Sequence, residues 1–388
     1  KNIMKVLIWS PFISSDIGTV GTVLNTAKCI NKFSNQKYNL SLINVAGEWQ
    51  KFNKFLSENE IKSINLNIRL SFKNLPKGSY FKSRLTYILI SLFSLFKLHK
   101  LLKKEKPEFF FVHLLTFTPL LLMILFKYKT KFILRISGYP KINFLRKFFW
   151  KLSNKKINKI LCPTYQTKKQ LMRENIFDES KLYVVHEPIL DLKKIRIYKE
   201  IKDHFNYKQY GKYVVSIGRL TKQKNHRFLI KCFNEILRKD PDLKLLICGE
   251  GEERNNLKKL IIDIKRENNI YLLGYVENII PVLKNSLFFI LTSEWEDPGF
   301  VIIESMFSNT IVYSSDCKNG PIDLIKNYNN GFLYKKNNKI EFIENFFSIH
   351  KLILQKDQLI KKIKFNAKYK TRLYTLFNHY KKLKEILK

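Results

Sequence analysis

Tyr213-Val-Val-Ser-Ile217 is a short, largely apolar run. It is followed by a polar loop, a helical pattern at 228–239 and a second apolar run at 243–248. Apolar runs of about four to eight residues without strict alternation are typical of parallel strands that helices cover on both faces. Two such strands and the helix between them form a βαβ unit, and repeated units form an open, doubly wound sheet. The stretch therefore predicts an α/β fold.

Similar apolar runs lie on both sides of this unit. The predicted strands before it are residues 5–9, 38–45, 109–113, 132–136, 159–162 and 182–185, and those after it are residues 270–273, 287–291 and 310–314. The pattern starts again at Tyr213 after a polar, charged stretch, so we place an interdomain linker around 188–205. We expect two doubly wound, Rossmann-like domains, at 1–190 and 191–365, that face each other across a cleft. A basic helix at 366–388 would pack back on the first domain or remain a solvated tail.

The charge of the chain is strongly positive. Its 388 residues include 71 Lys and Arg against 32 Asp and Glu, which gives a formal net charge of +39. The hydrophobic content of 45% is enough for packed cores and argues against global disorder. The charge predicts an anionic partner, namely phosphates, nucleic acid or an acidic membrane surface. Nucleic acid is disfavoured, because no recognition helix, zinc spacing or aromatic stacking platform accompanies the basic residues.

The cysteines indicate a reducing compartment. Five are scattered along the chain, at positions 29, 162, 232, 248 and 317, and no two form a Cys-x-x-Cys pair. The sequence therefore predicts neither a disulfide framework nor a zinc site. Cys162, Cys232 and Cys248 lie in apolar runs and are expected to be buried. We expect a cytoplasmic protein.

Two segments of the first domain bear on membrane contact. Residues 109–126 carry no formal charge, but His113, threonines and Pro119 interrupt them, so we predict a strand, a loop and a buried helix rather than a membrane span. Residues 80–106 combine aromatic and aliphatic side chains with seven Lys and Arg before and after them. They predict either an amphipathic helix on an anionic membrane surface, at the inner face of the cell membrane, or an internal helix with a solvated basic face.

Ligands of open α/β sheets bind beyond the carboxyl ends of the strands, so the loops there are the candidate sites. The loop after the first strand contains Gly18 and Gly21, and it is either an ordinary turn or a phosphate or sugar contact. The loop after Ile217 contains Arg219 and Lys224. This pair could clamp a diphosphate and neutralise its charge as it leaves, or it could be a solvated basic loop.

Two glutamates follow the predicted strand at 287–291. Glu296 lies in the loop, and Glu304 lies eight residues later within an apolar helix, a little over one turn from its start. An acid in such surroundings is costly to bury without partners, and two ribose hydroxyls would suit it. Gly299 and the helix N-terminus would present backbone N–H groups to a sugar or a phosphate. An acid at a helix N-terminus is favoured by the helix dipole in any case, which would account for Glu296 but hardly for Glu304.

With these residues in view, the chain resembles the retaining, GT-B-fold glycosyltransferases of family 4. Glu296-x7-Glu304 resembles the paired-glutamate motif of that family. The other matching segments, in the family's order, are Gly218-Arg219-Leu-x3-Lys224, Gly249-Glu-Gly251, Leu273-Gly274-Tyr275, Ser315-Asp-Cys-x-Asn-Gly320-Pro321 and Asn330-Gly331-Phe-Leu. The resemblance covers about residues 211–335, and it is thinner in the first domain.

The resemblance implies roles for individual residues. Arg219 and Lys224, with Gly218 beside them, would hold the donor diphosphate, and Glu304 would bind the ribose. The donor sugar would be held by Glu296, by the backbone amides of Gly299, Phe300 and Val301, and by His113 and Gly18 of the first domain; Tyr275 would lie near the base. His113 could equally be a buried core histidine. Asp297-Pro298 and Glu187-Pro188 depart from the family pattern.

The implied function is transfer of a sugar from a UDP- or GDP-sugar to a membrane-associated glycan or lipid-linked acceptor. No cofactor and no metal are expected, because Arg219 and Lys224 would neutralise the diphosphate. Asp240-Pro-Asp242 follows a helix and precedes a strand, so it predicts a surface turn rather than a metal site. Two other functions stay open. A nucleotide-sugar epimerase of the same fold would need no acceptor, and a non-catalytic membrane-surface module would not depend on Glu296 or Glu304.

Overall fold

The computed structural model describes residues 3–13, 18–68, 70–71, 75–76, 80–200 and 207–388. It divides into two compact units. The first comprises Lys1–Ile189 and Tyr374–Lys388, and the second comprises Leu190–Leu373. The linker expected around 188–205 includes residues 201–205, which lie outside the described residues.

The first unit is built on a parallel sheet, with seven strands in the described part of the chain. The strands are β1 (Met4–Trp9), β2 (Tyr38–Asn44), β3 (Lys62–Asn65), β4 (Phe109–Val112), β5 (Lys131–Arg135), β6 (Ile157–Cys162) and β7 (Leu182–Val184). Their order in the sheet is β3-β2-β1-β4-β5-β6-β7. The helices of this unit are α1 (Gly18–Phe33), α2 (Asn53–Glu58), α3 (Tyr80–Glu105), α4 (Phe117–Leu125), α5 (Phe144–Ser153), α6 (Tyr165–Arg173) and α15 (Leu376–Ile386).

Alternate residues of the central strands face two separate cores. Phe110 and Val112 pack with the buried residues of α3, α4 and α5 on one face of the sheet. Phe109 and Phe111 pack with α1 and α15 on the other face. Because both faces are covered, the strands need no polar alternation, and this explains the uninterrupted apolar runs of the sequence.

The second unit has the same design. Its strands are β8 (Tyr213–Ile217), β9 (Lys244–Cys248), β10 (Ile270–Gly274), β11 (Phe289–Leu291), β12 (Val312–Ser315) and β13 (Phe332–Tyr334), which pair in parallel in the order β10-β9-β8-β11-β12-β13. Its helices are α7 (Leu192–Glu200), α8 (His226–Ile236), α9 (Arg254–Asp263), α10 (Ile279–Asn285), α11 (Phe300–Phe307), α12 (Gly320–Leu324), α13 (Lys339–Leu354) and α14 (Gln358–Thr371). The two doubly wound parallel sheets confirm the predicted α/β fold class.

The structure also confirms the interpretation of residues 109–126. They form β4, a short loop and α4, and Leu120, Leu122 and Met123 of α4 lie in the core. All five cysteines are free and buried, as expected for the three that lie in apolar runs.

The single helix predicted at 366–388 is wrong, because the structure has a break there. α14 ends at Thr371 and α15 begins at Leu376. The hydroxyl of Thr375 accepts a hydrogen bond from the backbone N–H of Asn378, so it caps a new helix at this point. α15 then packs against α1 in the core of the first unit through Leu376, Tyr380 and Leu383.

A buried ion pair explains the unusual Glu187 before Pro188. The guanidinium of Arg135, at the end of β5, donates to the carboxylate of Glu187, and both side chains are almost fully buried. The same guanidinium donates to the hydroxyls of Thr22, at 3.0 Å, and Thr26, at 3.1 Å, both on α1. The pair therefore fixes α1 on the carboxyl edge of the sheet.

We expect Glu187→Leu to lower the free energy of unfolding by roughly 3–5 kcal/mol, because it leaves the Arg135 charge buried and unpaired. Adding Arg135→Met removes that charge and should restore much of the loss. Urea unfolding of both variants measures the effect. As a control, Glu174→Leu removes a surface partner of Lys147 and should cost about 0–1 kcal/mol. If the double variant is no more stable than Glu187→Leu, the unpaired charge is not the cause.

Candidate active site

The second sheet has a point at which its strand order reverses. β8 and β11 are neighbours, and the chain runs outward from β8 to β10 on one side and from β11 to β13 on the other. Ligands of open α/β sheets bind in the crevice beyond the carboxyl ends of the strands at such a point. The loops that leave β8 and β11, residues 218–225 and 292–299, form what we call the β8–β11 site.

An ion pair joins the two loops of the β8–β11 site. Nζ of Lys224 lies 2.6 Å from Oε1 of Glu296. The hydroxyl of Ser293 donates to the same oxygen at 2.5 Å. Glu296 is only 4% exposed and the Lys224 side chain 13%, so the pair is largely shielded from water and much stronger than a surface pair. The sequence placed both residues in loops at one edge of the sheet, and the structure brings them into contact.

Further hydrogen bonds hold the two loops together. The side-chain amide of Gln223 donates to the carbonyl of Trp295 at 2.8 Å. The hydroxyl of Thr292 donates to the carbonyl of Lys224 at 3.0 Å. These bonds fix the backbone on both sides of the ion pair, so a ligand would meet a preorganised site.

The loop after β12 fixes the backbone of Glu296. The side-chain amide of Asn319, which is buried, donates to the carbonyl of Glu296 at 3.1 Å and to the Asp297 carboxylate at 2.8 Å. The next residue, Gly320, is so close that a Cβ there would lie 1.9 Å from the carbonyl oxygen of Pro298. Only glycine fits at this position.

Three further predicted residues lie at the carboxyl ends of strands: Gly218 and Arg219 follow β8, and Tyr275 follows β10. Arg219 is exposed, so its guanidinium is accessible to a ligand. A Cβ on Gly218 would lie 3.1 Å from Cε of Lys224, and the glycine therefore leaves room for the lysine side chain. Tyr275, directly after β10, is 78% exposed.

The N-terminus of α11 lies beside Glu296. Gly299 precedes the helix with a φ of +90°, a conformation that favours glycine. Phe300 and Val301 are the first residues of the helix, so their amides belong to the group that lacks intrahelical partners. A helix N-terminus favours negative charge and hydrogen-bond acceptors, which suits phosphate and sugar oxygens.

Glu304 lies on α11, one helical turn beyond these amides, and is partly buried. Desolvation raises the pKa of its carboxyl to about 7, while the positive charge of Lys194 acts in the opposite direction. A carboxyl with so high a pKa lacks strong hydrogen-bond donors of its own. It is therefore suited to accept hydrogen bonds from ligand hydroxyl groups.

The raised pKa of Glu304 predicts a pH dependence of stability. The pKa lies near 7 in the folded protein, against an ordinary 4.5, so folding is favoured while the carboxyl is protonated, and this contribution is lost as the pH rises through 7. We therefore compare the free energies of unfolding of Glu304→Gln and the wild type. The variant's value minus the wild-type value should rise by roughly 2 kcal/mol from pH 4.5 to pH 8. Urea unfolding of both proteins at the two pH values measures this, since other titrating groups cancel in the difference. A difference that does not change with pH would contradict the pKa.

Glu294 has a structural role, in contrast to Glu296. Its carboxylate accepts from the amides of Asn225, at 2.8 Å, and Asn337, at 2.9 Å, and lies 3.0 Å from Nζ of Lys336. Burial acts to raise its pKa, but these hydrogen bonds and the Lys336 charge outweigh burial and lower it. Its oxygens are occupied by protein groups, so Glu294 is a matched control for Glu296.

Sequence reasoning missed Ser293 and Asn319, the two residues that hold Glu296. Ser293 lies two residues after β11, so the rule that ligands bind after the strands could have identified it. Asn319 lies in a segment that matched the family, but its amide contact depends on how the loop after β12 folds back. The sequence gives no signal for that contact.

The first unit has its own switch point, between β1 and β4. There the hydroxyl of Ser10 and Nδ1 of His113 are 2.9 Å apart. His113 is buried, and among the described residues its Nε2 has no hydrogen-bond partner. Burial lowers its pKa well below the usual value and the charge of Arg135 lowers it further, so the ring is neutral near pH 7. The neutral imidazole therefore keeps one nitrogen that has no partner among the described residues and is shielded from solvent.

Gly18 is the first residue of α1 and is exposed. Residues 14–17, which complete the predicted glycine loop, lie outside the described residues. The segment Asp240-Pro-Asp242, which we expect to be a surface turn, lies between α8 and β9. It is therefore at the edge of the sheet opposite to the β8–β11 site.

The fold is that of the GT-B glycosyltransferases, in which two parallel sheets carry helices on both faces. The crystal structure of Anabaena HepE in complex with UDP matches 99% of this chain and 99% of its own with a TM-score of 0.69 at 14% identity. At that identity the likeness shows the fold alone.

Residues 198–368 match the family model of the glycosyl transferases group 1. An uncharacterized glycosyltransferase of Methanocaldococcus jannaschii is 33% identical over 216 residues, which is 50% of each chain. The N-acetylgalactosamine-N,N'-diacetylbacillosaminyl-diphospho-undecaprenol 4-alpha-N-acetylgalactosaminyltransferase of Campylobacter jejuni is 28% identical over 258 residues, 64% of this chain and 67% of the relative. The alignments thus span half to two thirds of these relatives. The matches support a transferase enzyme.

Proposed function

We propose that this protein is a retaining glycosyltransferase that moves a sugar from a nucleotide-diphosphate donor to a hydroxyl of a lipid-linked or membrane-associated glycan. The observation that carries the proposal is the shielded Lys224–Glu296 ion pair at the switch point of the second sheet. A cation and an acid in contact there offer one group to a phosphate and one to sugar hydroxyls.

Donor binding would divide this ion pair between two parts of one ligand. The diphosphate would take Lys224, with Arg219 as a second, planar donor from the same loop. The sugar hydroxyls would donate to Glu296, and the ribose hydroxyls to Glu304. In the complex, Lys224 and Glu296 each have a new partner on the donor. Separating the ion pair therefore leaves neither charge buried and unpaired.

In the reaction, the bond between the anomeric carbon and the diphosphate oxygen breaks, and a bond to the acceptor oxygen forms on the same face of the sugar. The acceptor proton passes to the departing diphosphate. Negative charge grows on that diphosphate, and Lys224 and Arg219 stabilise it where it develops. These two cations would do the work that a metal ion does in other transferases, so we expect activity to persist in EDTA.

The relatives guide the choice of donor and acceptor. HepE binds UDP in its crystal structure, and the name of the Campylobacter relative describes a diphospho-undecaprenol acceptor. We therefore favour a UDP-sugar over a GDP-sugar, and a polyprenyl-diphosphate-linked glycan as acceptor. Such an acceptor would place the enzyme in the cytoplasm, at the inner face of the cell membrane.

Nucleotide release from a panel of UDP- and GDP-sugars, with and without polyprenyl-diphosphate-linked saccharides, tests the proposal. We expect release from a UDP-sugar that the acceptor accelerates and that Glu296→Gln reduces by roughly 100-fold, while Glu294→Gln has little effect. NMR of the product should show that the anomeric configuration is kept. A new sugar nucleotide formed without acceptor would mean an epimerase. No binding and no turnover of any nucleotide sugar would overturn the proposal.

A further inference from the structure

One side of α3 exposes apolar residues to solvent. Leu85, Ile88, Leu92 and Phe96 follow one another at intervals of three or four residues, which places them on a single face of the helix. All four are exposed, and Phe96 is 74% exposed. The stretch 85–96 contains no charged residue. Contiguous apolar patches of this kind on soluble proteins mark contact with another molecule or with a membrane.

The opposite side of α3 belongs to the core of the first unit. Ile90, Leu98 and Leu102 pack there with the strands of the sheet, and the hydroxyl of Thr86 donates to the carbonyl of Pro76 at 2.6 Å. Among the described residues, Lys82–Glu105 is the one helix long and apolar enough to cross a membrane by length and composition. Because one side is packed on the sheet, α3 is suited to lie along a membrane surface rather than to cross it.

α5 presents a second exposed apolar group. Phe144, Leu145, Phe148 and Leu152 are all exposed, and Phe144 is 81% exposed. Between α3 and α5 lies α4, which packs against both helices. Phe117 of α4 stacks on Phe149 of α5 with ring centroids 5.0 Å apart, and Phe117 is itself exposed. We call the exposed apolar residues of α3 and α5 the α3–α5 surface.

Two arginines flank the apolar residues of this surface. Arg84 directly precedes Leu85 on α3, Arg146 directly follows Leu145 on α5, and both arginines are exposed. Exposed guanidinium groups bind phosphate through charge-assisted hydrogen bonds. A lipid phosphate matches guanidinium geometry and would lie at the depth where the apolar residues begin.

The segment that carries the α3–α5 surface is strongly basic. Residues 80–156 contain 17 Lys and Arg but only two acidic residues. Both acids are paired with lysines, since Glu105 lies 2.7 Å from Lys5 and Glu108 lies 3.1 Å from Lys131. An exposed apolar surface with a basic surround complements an anionic bilayer, in which the apolar side chains enter the interface and the cations bind phosphates.

We propose that the α3–α5 surface docks the protein in-plane on an anionic lipid bilayer, with Arg84 and Arg146 binding lipid phosphate. The inference deepens the proposed function by naming the surface that would bring the enzyme to a membrane acceptor. It can be tested separately, because binding to vesicles requires neither a sugar donor nor turnover.

Flotation of the full-length protein with vesicles tests the docking surface. We expect binding to vesicles of 30% phosphatidylglycerol in phosphatidylcholine at low salt, and much weaker binding to pure phosphatidylcholine or at 500 mM NaCl. The double variants Leu92→Ser/Phe96→Ser and Phe144→Ser/Leu145→Ser should each bind at least about tenfold more weakly. Arg84→Gln/Arg146→Gln should bind roughly 30-fold more weakly.

Matched controls lie on exposed helices of the second unit. Ile262→Ser/Ile340→Ser removes two exposed apolar side chains, and Lys258→Gln/Lys259→Gln removes two exposed positive charges. Both should change binding by less than about threefold. All the substituted α3 and α5 residues are exposed, so the variants should fold, and circular dichroism melting checks this.

Two results would overturn the proposal. One is equal binding of the wild type and the α3–α5 variants to anionic vesicles. The other is self-association. In that case the wild type would be a dimer in sedimentation equilibrium, the serine variants would be monomers, and neither the wild type nor the variants would bind vesicles. The surface would then be an interface between two copies of this chain. Loss of sugar transfer with vesicle binding intact would instead count against the proposed function alone.

Discussion

Lys224→Met is expected to reduce turnover of the sugar donor by about 10²–10³-fold, the usual effect of removing one preorganised group that stabilises developing negative charge. The Lys224 ammonium is held 2.6 Å from Glu296 in a site largely shielded from water, where charge interactions are stronger than at a surface. Its effect should therefore fall mainly on the step in which the diphosphate leaves. Steady-state kinetics with saturating donor measure this as a fall in kcat.

The same substitution leaves Glu296 buried without its cation, so stability must be separated from catalysis. Lys224→Met alone should cost roughly 3 kcal/mol or more of unfolding free energy, while Lys224→Met/Glu296→Gln should recover much of that loss. We expect the double variant to fold well and still to be inactive. An active double variant would show that the pair is structural and that the leaving group is stabilised elsewhere.

Lys222→Ala is the control for this prediction. Lys222 lies two residues away in the same loop and is exposed. The substitution Lys222→Ala lowers the net charge of the protein by one, as Lys224→Met does, but it leaves both members of the Lys224–Glu296 ion pair in place. We expect less than about a threefold change in turnover, because exposed charges are screened by solvent and salt. Equal losses in both variants would mean that only the overall positive field matters.

Gly320→Ala is expected to destabilise the second unit by more than about 4 kcal/mol, at the extreme of single substitutions. The added Cβ would lie 1.9 Å from the carbonyl oxygen of Pro298 and 2.9 Å from Cβ of Glu296. The first of these atoms belongs to the backbone, so no side-chain rotation relieves the contact. The loop that carries Glu296 would have to move, and both stability and donor binding should be lost. Thermal unfolding followed by circular dichroism measures the change.

Gly21→Ala provides the opposite case with the same chemical change. Gly21 lies within α1, and nothing lies within 4 Å of its Cβ position. Alanine is the better helix former, so we expect this variant to be neutral or up to about 1 kcal/mol more stable. A similar melting temperature for Gly320→Ala and Gly21→Ala would contradict the tight packing of Gly320 against Pro298.

The sequence was sufficient for most strands of both sheets, because the central strands are buried on both faces and therefore form continuous apolar runs. It missed two edge strands. β3 reads Lys62-Ser-Ile-Asn65, mostly polar because it is exposed, and β13 has only three residues. Edge strands need less apolar sequence, so periodicity alone does not reveal them.

For the candidate site, the sequence predicted which loops carry the chemistry but not which atoms meet. The positions of Arg219, Lys224 and Glu296 after strands followed from the βαβ pattern. Their grouping depends on β8 pairing with β11, a contact between segments about 70 residues apart that no local pattern encodes. The partners of His113 and Glu187 were hidden for the same reason, since Ser10 and Arg135 come from distant strands.

A crystal structure of the protein with UDP would show whether the β8–β11 site binds the donor. We expect the diphosphate at this site, within hydrogen-bond distance of Nζ of Lys224 and the guanidinium of Arg219, with the ribose hydroxyls donating to Glu304. The separation of Lys224 from Glu296 should then exceed the present 2.6 Å. UDP bound elsewhere, or bound with this ion pair intact and Glu304 unengaged, would contradict it.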